Sequence, residues 1–214
     1  MKGDDRRRIE RACREGDAQG LLGLAVEAAE FVIDPRVYDI LLALDAEMSV
    51  EMSRRGSTAA LSRSGVGFRM DLNPDFFAEY HQEASDVLHT ILHELMHRVS
   101  GDLERSGEEP DLANFACDLL VNCALWKQLF RAGPAYFLKL YPRERFPANL
   151  LLSPDQLLAR APEEVESLDL EPAVVEVLTA TCGVEAGLAG RSFPFDYEWQ
   201  AELYWQIKRE RQPG

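Results

Sequence analysis

His89-Thr90-Ile91-Leu92-His93-Glu94-Leu95-Met96-His97 holds three of the chain's 4 histidines, spaced four residues apart. A spacing of four brings side chains onto one face of an α-helix, one above the other. The surroundings carry the same period: Val87, Leu88, Ile91, Leu92, Leu95, Met96 and Val99 form an apolar surface that has to pack against something. The spacing predicts a helix over about 83–100, with Gly101 as its natural stop.

On that helix His93 and His97 project from one face, about one turn apart. Two imidazoles so placed can bind a single zinc ion at roughly 2.0–2.1 Å each. Glu94 follows the first histidine and can reach a water beside the ion without being a ligand. The pattern HExxH is the arrangement used for metal-assisted hydrolysis, in which the metal acidifies water and the glutamate takes its proton. His93 and His97 are therefore candidate ligands of Zn2+, and Glu94 is the candidate catalytic residue.

Two histidines do not complete a catalytic zinc site, which usually takes three protein ligands and a water. The metzincin pattern requires a histidine six residues after His97, where this chain has Leu103, and no histidine follows His97 anywhere. The third ligand must be a carboxylate, a cysteine or an upstream histidine. A helix expected over 111–131 offers the best candidate. Residues 112–126 read LANFACDLLVNCALW, with Asp118 the only charge. A carboxylate on so apolar a helix is costly unless paired or bound to a metal. Asn114, Asp118 and Asn122 form a polar stripe at four-residue spacing, beside an apolar face of Leu112, Phe115, Leu119, Cys123 and Trp126. Packed against the His93/His97 face, this stripe would place Asp118 on the metal and the amides of Asn114 and Asn122 around it. The alternatives for Asp118 are a hydrogen bond that orients an imidazole N–H or an ordinary buried, hydrogen-bonded role.

His89 lies one turn before His93, and the drift of a 3.6-residue helix pulls it off the metal. It reads as a residue supporting the site or its transition state, as a ligand, or as a structural histidine. His89, Tyr80 and Tyr141 are candidates for stabilising an oxyanion. His81 carries no pattern of its own.

At 214 residues the chain can bury one substantial core. A formal net charge of −14 argues against general nucleic-acid affinity, which needs clustered Lys and Arg. The one basic run, Arg6-Arg7-Arg8, has the acidic neighbours Asp4, Asp5 and Glu10 and reads as a solvated helix face. No apolar run approaches the ~18–20 residues that span a bilayer, and the N-terminus lacks the apolar core of a signal peptide. No membrane association and a cytoplasmic location are expected. Cys13, Cys117, Cys123 and Cys182 have no ligand-like spacing and read as free thiols packed as small hydrophobes.

Helices are expected over 4–15, 17–33 and 36–52, the second stopped at Asp34-Pro35. Residues 58–62 and 66–72 read as two strands of a hairpin joined at Arg63-Ser64-Gly65. Asn73-Pro74 ends the second strand and starts a short helical turn through Phe76, Phe77 and Tyr80. Beyond the motif come a polar loop at 102–109 and helical turns at 134–141, 153–160, 163–180 and 196–210. The expected architecture is a single α+β domain over 1–214, mainly helical. Its parts are an N-terminal helical part (1–56), the hairpin with the motif and third-ligand helices (57–131), and a C-terminal helical part (132–214). A small antiparallel sheet lies against the motif helix, and an exposed edge of that sheet can pair with an extended peptide.

Leu72-Asn73-Pro74-Asp75-Phe76-Phe77, followed by the HExxH segment and then Asn114-Phe115-Ala116-Cys117-Asp118-Leu119-Leu120-Val121-Asn122, resembles the zinc metallopeptidase domain of a bacterial family often linked to a von Willebrand A-like domain. That family has the same order: an NPxFF-like turn, HExxH on a helix, and a later helix reading roughly N-x-A-x-D-x-x-x-N. The resemblance covers about residues 58–125, and more weakly the prolines near 142–147 and the segment 196–210. It implies a zincin-like fold, Zn2+ on His93 and His97 with Asp118 as third ligand, Glu94 as catalytic residue, and a peptide or protein substrate. A chain of 214 residues leaves no room for the von Willebrand A-like part, so no partner engaged through it is implied. Beside the peptidase stand two alternatives: a non-catalytic zinc-binding scaffold that recruits a protein partner, and a metal-free helical interaction domain.

Overall fold

A computed structural model describes residues 2–32, 48–65, 67–100, 118, 121–122, 125, 133–142, 151–152 and 156. The chain divides into two compact units. One comprises Met1–Ser106 with Pro134–Tyr136, the other Gly107–Gly133 with Phe137–Gly214.

The first unit opens with α1 (Lys2–Glu15) and α2 (Ala18–Val32). Gly16 separates them at φ 69°, the left-handed conformation that ends a helix and that glycine adopts without a Cβ penalty. The Asp17 N–H returns to the Ala12 carbonyl at 2.9 Å, closing the end of α1. The Asp17 carboxylate then accepts from the Gly20 N–H at 2.8 Å and caps α2. Ile9, Ala12 and Cys13 are the buried face of α1, and Leu21, Leu24, Ala25, Ala28 and Ala29 that of α2. The Cys13 thiol is free and buried, as expected of a small core hydrophobe, and loss of solvent pushes its pKa up to about 11.

Three strands follow: β1 (Met48–Met52), β2 (Ala59–Ser64) and β3 (Gly67–Leu72). They form one sheet in the order β1-β3-β2. β2 and β3 make the expected antiparallel hairpin, with Gly65 at φ 61° in its turn. Val50, Met70 and Leu61 lie opposite one another across the three strands, and all three are buried.

Two expectations fail here. The helix expected over 36–52 is wrong at its end, because residues 48–52 are a strand; residues 33–47 lie outside those described. The sheet is mixed rather than antiparallel, since β1 runs parallel to β3. Met48, Val50 and Met52 alternate with Ser49 and Glu51, a period-2 pattern in a window too short to separate strand from helix. Pairing with β3, about twenty residues further on, decides the matter.

Asn73 turns the chain from β3 into α3 (Pro74–Tyr80), its side-chain oxygen accepting from the Asp75 N–H at 2.9 Å and the Phe76 N–H at 3.4 Å. Its amide donates to the Gly56 carbonyl at 2.7 Å, tying the cap to the loop before β2. Asn73→Ala removes both functions and is expected to cost about 1–2 kcal/mol, read from the chemical denaturation midpoint.

The motif helix is α4 (Ala84–Ser100). Its start is held by carboxylates, which suit the positive end of a helix. Asp86 accepts from the Gln82 and Glu83 N–H groups at 2.9 and 3.1 Å, and Asp5 accepts from the Ala84 N–H at 3.2 Å. Val87, Leu88, Ile91 and Leu95 form its buried face, and α4 packs mainly on α2 and β2. Near its other end the Arg98 guanidinium lies 4.0 Å over the Phe68 ring of β3.

In the second unit, Asp118, Val121, Asn122 and Leu125 are helical, and α5 spans Phe137–Leu140. Asn122 is fully buried and donates to the Leu151 carbonyl at 3.3 Å. The expected loop at 102–109, the helices at 163–180 and 196–210, most of those at 111–131 and 153–160, and Cys117, Cys123 and Cys182 lie outside the described residues. Among the described residues no helix is long and apolar enough to cross a membrane.

Candidate metal centre

The apolar period of α4 buries Leu88, Ile91 and Leu95 and turns the following positions to the rim of the core, where His93 and Glu94 are partly exposed. His97 keeps 8% of its surface exposed. One turn apart, the two imidazoles meet with their Nε2 atoms at 3.1 Å and their planes at 77°. Nitrogens at roughly 2.0–2.1 Å from a common ion with tetrahedral angles lie about 3.3 Å apart, close to the spacing found. Two neutral rings can aim both Nε2 lone pairs at one point only if each carries its proton on Nδ1, a state that a cation stabilises. Otherwise one ring turns its N–H toward the other.

His93, His97 and Asp118 each offer one ligand atom, and these atoms all lie within 4.8 Å of one another. Two imidazoles and a carboxylate are a donor set that could hold a metal ion. Glu94 stands between the two histidines in sequence and is not a member of that group. Asn122 is helical four residues after Asp118, and the described bond of its amide goes to Leu151. Asn114 lies outside the described residues.

His89 is buried to 1%, with Nδ1 facing the Tyr136 hydroxyl at 3.4 Å, and is likewise not in the ligand group. Burial, reinforced by the neighbouring His93 and His81, drives its pKa well down and keeps the ring neutral. Tyr80 packs its ring 5.3 Å from that of Phe76, and its phenol is raised by desolvation and by Glu79. Tyr141 lies in the second unit, edge-on to Phe137 at 5.0 Å.

Sequence reasoning missed three residues beside the motif. His81 is fully buried, stacked on Phe77 at 4.4 Å and on Tyr136 at 4.6 Å, and its Nε2 lies 2.8 Å from the Thr90 hydroxyl. The Thr90 hydroxyl is also 2.8 Å from that of Tyr136. Desolvation takes the pKa of His81 down to about 3. No periodicity links residues 81, 90 and 136, so the one available signal was His81 directly after the aromatic run Phe76, Phe77, Tyr80.

The chain matches no family model, no curated protein and no solved structure.

Proposed function

We propose that this chain is a zinc-dependent peptidase. One observation carries the reading: the His93 and His97 Nε2 atoms converge at 3.1 Å on the helix that also bears Glu94, with a ligand atom of Asp118 in the same group. The resemblance of the NPxFF-like turn, the HExxH helix and the Asn114/Asp118/Asn122 stripe to a metallopeptidase domain supports it. So does the match of two nitrogens and one oxygen to the three protein ligands of a catalytic zinc.

His93, His97 and Asp118 would hold the ion. Zinc bound there supplies Lewis acidity and lowers the pKa of water. Glu94, partly exposed beside His93, takes the proton of the water whose oxygen attacks the scissile carbonyl carbon. It returns that proton to the amine nitrogen as the C–N bond breaks. β1 and β2 are the outer strands of the described sheet, and an outer strand offers backbone N–H and C=O groups to an extended peptide.

Metal content by plasma mass spectrometry tests the centre. The wild-type chain is expected to carry about one zinc, and the His93→Ala/His97→Ala chain none, because the donor set is then one carboxylate. A wild-type chain that stays metal-free after zinc is offered and the excess removed overturns the reading.

A further inference from the structure

Behind the histidine pair, inside the first unit, runs a continuous buried polar chain. His81 Nε2 lies 2.8 Å from Thr90 Oγ1, Thr90 Oγ1 lies 2.8 Å from Tyr136 Oη, and Tyr136 Oη lies 3.4 Å from His89 Nδ1. All four side chains are buried. Their rings are held by stacking, His81 against both Phe77 and Tyr136, and Tyr136 edge-on to His89. His89 and Thr90 belong to α4, and His89 precedes His93 and His97 on the same face at intervals of four.

Counting protons constrains this chain. Each neutral imidazole carries one N–H and each hydroxyl one O–H. Three hydrogen bonds need three protons, and the two hydroxyls supply two. At least one imidazole must therefore point its N–H into the chain, from His81 Nε2 or from His89 Nδ1. If His81 donates, Thr90 and Tyr136 pass the direction along and His89 accepts, keeping its proton on Nε2. If His89 donates, the order reverses and His81 accepts. The tautomers at the two ends are coupled through the two hydroxyls, and successive bonds running one way polarise one another.

We infer that Tyr136, together with Thr90 and His81, is a positioning residue for the metal centre: the chain sets the tautomer of His89 and pins the rotation of α4, and so aims His93 and His97 at a common point. This inference rests on the reading of that centre as a zinc site. Tyr136 does this without lying in the ligand group. It comes to α4 from a sequence distance of 46 residues from Thr90, so the helix cannot supply this restraint for itself.

Three variants test it. Tyr136→Phe keeps the stacked ring and removes the hydroxyl. Thr90→Val keeps the side-chain shape and removes the hydroxyl. Thr90→Ser keeps the hydroxyl. Zinc affinity is measured by competition with a chelator, alongside the thermal midpoint and the 15N imidazole shifts that report which ring nitrogen is protonated. Tyr136→Phe and Thr90→Val are expected to weaken zinc binding about tenfold, the lower end of the effect of losing a residue that orients a ligand. Thr90→Ser retains wild-type affinity. In metal-free protein the His89 nitrogen shifts change in Tyr136→Phe and stay in Thr90→Ser. Unchanged affinity and unchanged shifts in Tyr136→Phe overturn the inference. So does a loss of affinity that follows the thermal midpoint alone across all three variants. A wild-type chain that binds no zinc overturns the zinc reading and the positioning role with it, while the 15N shifts of the metal-free chain still decide whether the tautomers are coupled.

Discussion

Glu94→Gln is expected to lower peptide hydrolysis by about 10²–10⁴-fold, the contribution of a positioned general acid–base group, with zinc content unchanged. The side chain lies outside the group of ligand atoms formed by His93, His97 and Asp118, so the substitution leaves that donor set intact. Glutamine nearly matches glutamate in shape and still accepts a hydrogen bond, but it cannot take a proton near neutral pH. The partly exposed position also limits the effect on folding. The measurement is cleavage of a peptide library by matched zinc-loaded preparations. Equal cleavage by both chains removes Glu94 from the chemistry. Cleavage by neither, with zinc present in both, favours the non-catalytic zinc scaffold.

Acidification is expected to destabilise the metal-free fold well before the carboxylates titrate, with His81 as a principal cause. Its pKa is near 6.5 in the unfolded chain and is brought to about 3 in the folded one, first by desolvation. The unfolded state therefore takes up a proton as pH falls through 6.5, and the folded state does not until about 3. Stability is full above pH 6.5 and declines as pH falls through that window. Between pH 6.5 and 5 one such histidine costs roughly 2 kcal/mol, and the full window roughly 5 kcal/mol. His89, also held neutral by burial, adds a slope of the same sign. His81→Phe preserves an aromatic ring against Phe77 and Tyr136 and removes the titration. Denaturation midpoints in chelator at pH 7.5 and 5.0 are expected to differ by roughly 2 kcal/mol less in His81→Phe than in wild type. The same loss in both chains would falsify the assignment to His81.

Local chemistry explains why so much of the first unit could be read without coordinates. The Asn73-Pro74 cap and the turn at Gly65 act within a few residues, through backbone φ and short hydrogen bonds. The apolar period of α2 and α4 is likewise a local record of which face has to leave water. The strand at 48–52 was misread because its five residues carry too little periodicity, and its hydrogen bonds go to a partner about twenty residues away.

For the candidate site the division follows the same physics. Spacing alone set His93 and His97 one turn apart with Glu94 beside them, because an α-helix converts four residues into one turn whatever surrounds it. Asp118 was legible as an isolated charge on an apolar helix, which demands a partner. The approach of the two Nε2 atoms to 3.1 Å, with His89 outside the ligand group, depends on rotamers and on the packing of α4 against α2 and β2. The chain from His81 through Thr90 and Tyr136 to His89 was beyond reach, since its members come from α4, from the turn before it and from residue 136. The sequence by itself determined the four described helices of the first unit, the hairpin and the residues available to a metal, all of which follow from interactions within a few positions. Only the tertiary structure decided the parallel strand and the buried polar chain, because each joins groups that are brought together by closing long loops and burying a shared core.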